Sequence, residues 1–173
     1  MEKFNFDKER NVTVLLAELL DKNGWEVVAC HPPGGHTSFS LLDGRRSKGA
    51  YMPDVVAIRF SETIDDYLVI VAESKPSSAE STEDIEKLIN LNRSHIAWLA
   101  FRLQNHLDQN RWLENAASKI QKIVAFADGH THELAVPDDF ITLKLSGNKL
   151  TDKRVGHSAP AKSFFSNQTF SDK

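Results

Sequence analysis

The chain has a single cysteine, Cys30. That scarcity excludes an internal disulfide framework and a multi-cysteine zinc site, and it fits a reducing cytoplasm. No apolar run is long enough to span a bilayer, so no membrane association is expected. The opening stretch MEKFNFDKER is charged and lacks the apolar core of a signal peptide, and a cytoplasmic location is the expectation. There is no excess of positive charge either. The net charge is −3, so the molecule as a whole does not attract nucleic acid, and only a local basic patch could do so. No internal repeat is visible. What the chain does have is 173 residues, the length of one domain that can bury a core without a disulfide or metal staple.

Charge is spread unevenly. Residues 147–173 carry Lys149, Lys153, Arg154, Lys162 and Lys173 against Asp152 and Asp172, a net of +3, which leaves −6 on the rest. Small and polar residues without a period predict a mostly mobile, basic C-terminal tail. Phe164, Phe165 and Phe170 stand out in it, and would dock on the body or on a partner.

Val12, Leu15, Leu16, Leu19 and Leu20 recur at helical spacing and predict a helix from about Asp7, its N-cap, to Asn23, with Gly24 as the stop. WEVVAC reads as a strand, the Pro-Pro-Gly-Gly stretch after it as a loop, and FSLL as a short strand before the turn DGRRSKG. Met52–Phe60 and Tyr67–Ser74 read as the two strongest strands, joined by a hairpin loop. Ser81 and Asp84 fit a capping box that opens a helix striped with Ile85, Leu88 and Ile89. Helical segments through HIAWLAFRLQNHL and NRWLENAASKI precede two late strands, QKIVAFADG and FITLKLSG. The order predicts an α/β fold with a mixed central sheet.

Asp54 begins the first strong strand and Glu73 ends the second, with Lys75 two residues on. Paired residues in a bulge-free antiparallel hairpin keep a constant numerical sum. If Phe60 faces Tyr67, Asp54 faces Glu73, with Cβ atoms about 4.5–5.5 Å apart. Lys75 shares the face of Glu73, since side chains alternate. Apolar residues on both faces predict a covered, central hairpin. Two carboxylates converging at its end repel, and desolvation worsens that. A divalent cation removes the conflict, and hard oxygen ligands select Mg2+, with Mn2+ able to substitute.

Pro53-Asp54, nineteen residues to Glu73, then Ser74-Lys75, resembles the signature of the PD-(D/E)XK nuclease superfamily. Of the 24 acidic residues only Glu73 has lysine two positions later, and it falls where the strand requires. The resemblance covers about Asp7 to Ala127. It implies a restriction-endonuclease-like αβββαβ core, a mixed sheet flanked by helices, in a domain spanning 1–146. It also implies an activity: Mg2+-dependent hydrolysis of DNA phosphodiester bonds, as an endonuclease of restriction, recombination or repair. By the same resemblance Asp54, Glu73 and the main-chain carbonyl of Ser74 hold the metal, and Lys75 takes the catalytic lysine position. Some members add a glutamate from the first helix, for which Glu18 is the candidate, although a solvated helix residue accounts for it too. A salt bridge between Glu73 and Lys75 at a hairpin end is the plain alternative for the trio.

Arg45, Arg46 and Lys48, on the turn into the Asp54 strand, are candidate phosphate contacts, as are Lys87 and Arg93 after the second strand. Ordinary polar surface accounts for all five as well. His31 and His36 flank the Pro-Gly loop and have the same two readings. His130 and His132 read as turn residues, Trp98 and Trp112 as core. The short chain suggests a homodimer or a small subunit beside a larger partner, because two strands need two active sites. The rival reading is a catalytically silent nucleic-acid-binding or scaffolding module that keeps the nuclease fold.

Overall fold

The structure, a computed structural model, describes residues 2–31, 41–43, 46–166 and 170, and within these the side chains outside 2–7 and 41–50. Helix α1 (Glu2–Lys22) leads into strand β1 (Glu26–Cys30), the hairpin β2 (Leu41–Asp43) and β3 (Arg46–Tyr51), and then β4 (Val55–Ser61) and β5 (Asp66–Ser77). Three helices follow, α2 (Thr82–Ile89), α3 (Arg93–Arg102) and α4 (Gln109–Leu113). The chain closes with β6 (Ile120–Asp128), β7 (Phe140–Ser146) and β8 (Lys149–Val155).

Six strands form one mixed sheet in the order β1-β4-β5-β6-β7-β8, while β2 and β3 pair only with each other. The β5–β6 and β6–β7 pairs are parallel and the others antiparallel. Strand alternation splits the core in two. Val55, Ala57, Leu68, Ile70 and Ala72 pack under Val12, Leu16, Leu19 and Leu20 of α1. Val56, Ile58, Val69, Val71 and Phe126 pack under Ile85, Leu88, Leu99 and Trp112 of α2, α3 and α4. The expected α/β class, mixed sheet and covered central hairpin are all present, with Trp112 buried and Trp98 half-buried at the edge of the second core. Among the described residues no helix is long and apolar enough to cross a membrane.

Two of three local expectations change. Asp7 is not an N-cap, because α1 already starts at Glu2. Gly24 does stop that helix region, at a φ of 90° that glycine adopts without steric cost. Ser81 caps α2 without a side-chain bond; its hydroxyl donates to the Ser77 carbonyl at 3.0 Å, so the capping box does not form.

Residues 147–166 of the expected mobile tail are packed on the body. Lys149–Val155 pairs with β7 as the edge strand. Beyond it Ala159, Ala161, Phe165 and Phe170 are buried in the α1-side core. Phe164 and Phe165 pack on Trp25 with ring centroids 5.8 and 5.9 Å away, and the Arg59 guanidinium lies 4.3 Å over Phe164. A boundary at 146 would therefore cut through one packed unit. The phenylalanines dock on the body, one of the two roles open to them.

Candidate active site

The β4–β5 ladder pairs Phe60 with Tyr67, Val56 with Val71 and Val55 with Ala72. That register carries Asp54, one residue before β4, to the level of Glu73. The Asp54 N–H donates to the Ala72 carbonyl at 3.1 Å. Beyond this bond the side chain of Asp54 takes the place of a ladder partner. Its Oδ2 accepts from the Ser74 N–H at 2.8 Å and from the Ser74 hydroxyl at 3.2 Å. Since N–H and C=O of one strand residue point to the same edge, the Ser74 carbonyl faces this edge too. Buried His31 fixes the Pro53-Asp54 backbone from β1. Its N–H donates to the Asp54 carbonyl at 2.6 Å, and its Nδ1 lies 3.0 Å from the Pro53 carbonyl. His31 thus has a positioning contact rather than an exposed one; His36 lies outside the described residues.

Glu73 is only 5% exposed. Burial, then the charge of Asp54 and a hydrogen bond shared with it, push its pKa from 4.5 up to about 10. Burial and the facing Asp54 thus favour the protonated form of Glu73 at neutral pH. Tyr51, at the end of β3, donates its hydroxyl to Glu73 Oε1, and its ring meets His95 of α3 edge-on. Burial and the neighbouring Glu73 push the Tyr51 phenol well above its ordinary range, so it stays a donor.

Lys75 does not pair with Glu73. Among the described ion pairs its Nζ lies 3.4 Å from Glu9 Oε1 and 3.8 Å from Asp84 Oδ2. Burial works to lower its pKa, but Asp84 and Glu9 outweigh that and raise it, so the ammonium stays charged. The surface salt bridge that would make Asp54, Glu73 and Lys75 a bland hairpin end is thus replaced by a partly buried cluster in which α1 and α2 supply the partners of Lys75.

Glu9, not Glu18, is the α1 glutamate at this cluster. Glu18 is exposed, on a groove with Asn11, Val14 and Asn148. Glu9 has its pKa raised by burial against the opposing pull of Lys75. The buried stripe of α1, followed back from Leu20 and Leu16 by turns, continues through Thr13 to Glu9. Thr13 is fully buried, and its hydroxyl is hydrogen-bonded to that of Ser74. Asp84 was a second residue that sequence reasoning missed as a site member: its apparent capping-box position explained it locally.

Of the proposed phosphate contacts, Lys87 is half-exposed on α2 with its Nζ 3.6 Å from Asp84 Oδ1, and Arg93 is exposed at the start of α3. Arg45 lies outside the described residues. Arg46 and Lys48 belong to β3, and their side chains lie outside the described ones. His130 caps the short turn Thr131–Glu133 and His132 lies within it, their rings stacked 5.2 Å apart.

Among the described residues no three His, Cys, Asp or Glu side chains form a preformed metal cage. The donor set is smaller: two carboxyls and a main-chain oxygen, all hard ligands. Mg2+ is commonly held by one or two carboxylates, with water and phosphate completing its octahedron. Asp54, Glu73 and the Ser74 carbonyl are the groups that could hold such a cation, and the raised pKa of buried Glu73 shows that a second negative charge there is costly without one. Compared with known proteins, the chain matches no protein-family model and no curated protein.

Proposed function

We propose that this protein is a Mg2+-dependent nuclease of the PD-(D/E)XK type, cutting DNA phosphodiester bonds with water as nucleophile. One observation carries the reading. The hairpin register brings Asp54 to Glu73 at the end of two central strands, with Ser74 and Lys75 directly beyond. The order α1, β1, β4, β5, helices, β6 supports a restriction-endonuclease-like core, with the β2–β3 hairpin as an insertion.

Asp54, Glu73 and the Ser74 carbonyl would hold the cation, and Mn2+ would serve in its place. Bound there, the metal supplies Lewis-acid stabilisation of the charge that builds on the phosphoryl group. Lys75, held charged by Glu9 and Asp84, donates to the attacking water or to a phosphoryl oxygen, where a fixed cation in a partly desolvated site has most effect. Lys87, beside Asp84 on α2, and exposed Arg93 at the start of α3 would meet the DNA backbone. A homodimer, or a small subunit beside a partner, would supply the second cut of a duplex.

Plasmid incubated with the protein should be nicked or linearised with Mg2+ and left intact in EDTA. Asp54→Asn should abolish cleavage, and Lys75→Ala should slow it by about 10²–10⁴-fold. Full cleavage by a well-folded Asp54→Asn protein would end this reading. Binding of DNA by the wild type without any cleavage would favour the silent module instead.

A further inference from the structure

Asp84 is a buried charge that its own helix does not require. It is 1% exposed, and neither carboxylate oxygen has a hydrogen-bond partner. It stands where a capping-box acid would bond back to the cap N–H, yet the Ser81 N–H goes to the Ser78 carbonyl instead. The carboxylate faces two ammonium groups, Lys75 at 3.8 Å and Lys87 at 3.6 Å. Those are ion-pair rather than hydrogen-bond separations. Burial pushes its pKa up to about 6 despite both lysines. A buried carboxylate satisfied this incompletely costs stability, and such costs collect where a protein needs a charge for its chemistry.

The two lysines that Asp84 joins have different duties in the proposed reaction. Lys75 shares a face of β5 with Glu73, two residues away. With no other anion in reach, its ammonium would fold onto the single charge of the Asp54–Glu73 pair and take the place of the metal. We propose that Asp84 is a positioning residue that draws Lys75 off the Asp54–Glu73 pair and links it to Lys87, so that one ammonium faces the reacting phosphate and the other its neighbour on the substrate strand. Glu9 holds Lys75 from the opposite side, so the lysine is stretched between α1 and α2. This inference rests on the nuclease reading for the duties of the lysines, though not for their geometry.

Asp84→Asn keeps size and shape while removing the charge. Three results are expected together. The melting temperature stays equal to wild type or rises, because an incompletely satisfied charge is gone. The turnover number falls about a hundredfold, the cost of displacing a reacting group by about an ångström. KM does not rise, because one anion fewer faces the polyanionic substrate. Asp84→Glu, which restores the charge, recovers part of the turnover. A merely structural salt bridge predicts a lower melting temperature and unchanged turnover per folded molecule, and that result would overturn the proposal. A separate arm needs no activity. Crystal structures of wild type and Asp84→Asn should show Lys75 turning from the Asp84 side toward the Asp54–Glu73 pair in the variant. Lys75 staying in place overturns the positioning role even if the wild type cuts DNA. If the wild type does not cut, the nuclease reading fails, and the crystal arm still decides whether Asp84 places the lysine.

Discussion

Glu73 is the residue on which the metal-free protein is most exposed to pH. Its folded pKa, about 10, lies above its ordinary 4.5. The folded state therefore holds a proton that the unfolded chain has released, and stability falls as pH rises across that interval. In EDTA the wild-type melting temperature should drop steadily from pH 5 to pH 9. Asp54→Asn removes the facing charge and should flatten that slope, melting at or above wild type at pH 8. On the proposed reading Mg2+ would bind only the folded site, so it should stabilise wild type and leave the variant unmoved. Thermal melts of both proteins across pH and Mg2+ check this, and a variant less stable than wild type at pH 8 in EDTA counts against the converging carboxyls.

At the scale of the elements, what could be read from the sequence depended on whether a local rule agreed with the packing. The β4–β5 register was legible because a short hairpin turn sets Phe60 opposite Tyr67, and that pairing puts Asp54 beside Glu73. On α1 the leucines were legible and the acid was not. Apolar residues mark the stripe only as far as Val12, while its continuation through Thr13 to Glu9 is polar and leaves no apolar signal, whereas Glu18 stands beside the Leu19-Leu20 pair. On α2 the local pattern misled. Ser81 and Asp84 spell a capping box, but two lysines outside the cap attract the carboxylate more strongly. The correction on α1 has a direct consequence. Glu9→Gln removes a charged partner of Lys75 and should slow cleavage by about tenfold to a hundredfold, the equivalent of one charge-assisted hydrogen bond. Glu18→Gln should cut at the wild-type rate. Initial rates of plasmid nicking by the two variants make the comparison, and equal rates would return Glu9 to the role of a passive surface partner.

For the molecule as a whole, the C-terminal segment shows how an edge strand can pass for a tail. Lys149, Lys153 and Arg154 lie on β8, the outermost strand of the sheet. Charged side chains blunt the unpaired edge that such a strand presents to other chains, and in sequence they look like a solvated basic run. The buried anchors come later and far apart, as Ala159, Ala161, Phe165 and Phe170. Phe165 and Phe170 lie 4.4 Å apart between ring centroids and close the core over Trp25. Replacing one buried phenylalanine by alanine costs about 3–5 kcal/mol, against a total stability of about 5–15 kcal/mol for a typical domain. Ending the chain at Ser146 removes both rings and the pairing of β7 with β8, and should abolish cooperative folding, not merely weaken contact with DNA. Phe165→Ala should remain folded, with a lower urea midpoint and an unchanged m-value. Urea titrations of full-length protein, the truncation and the point variant test this. A truncated chain that unfolds along the wild-type curve would mean that residues 147–173 contribute nothing to the core.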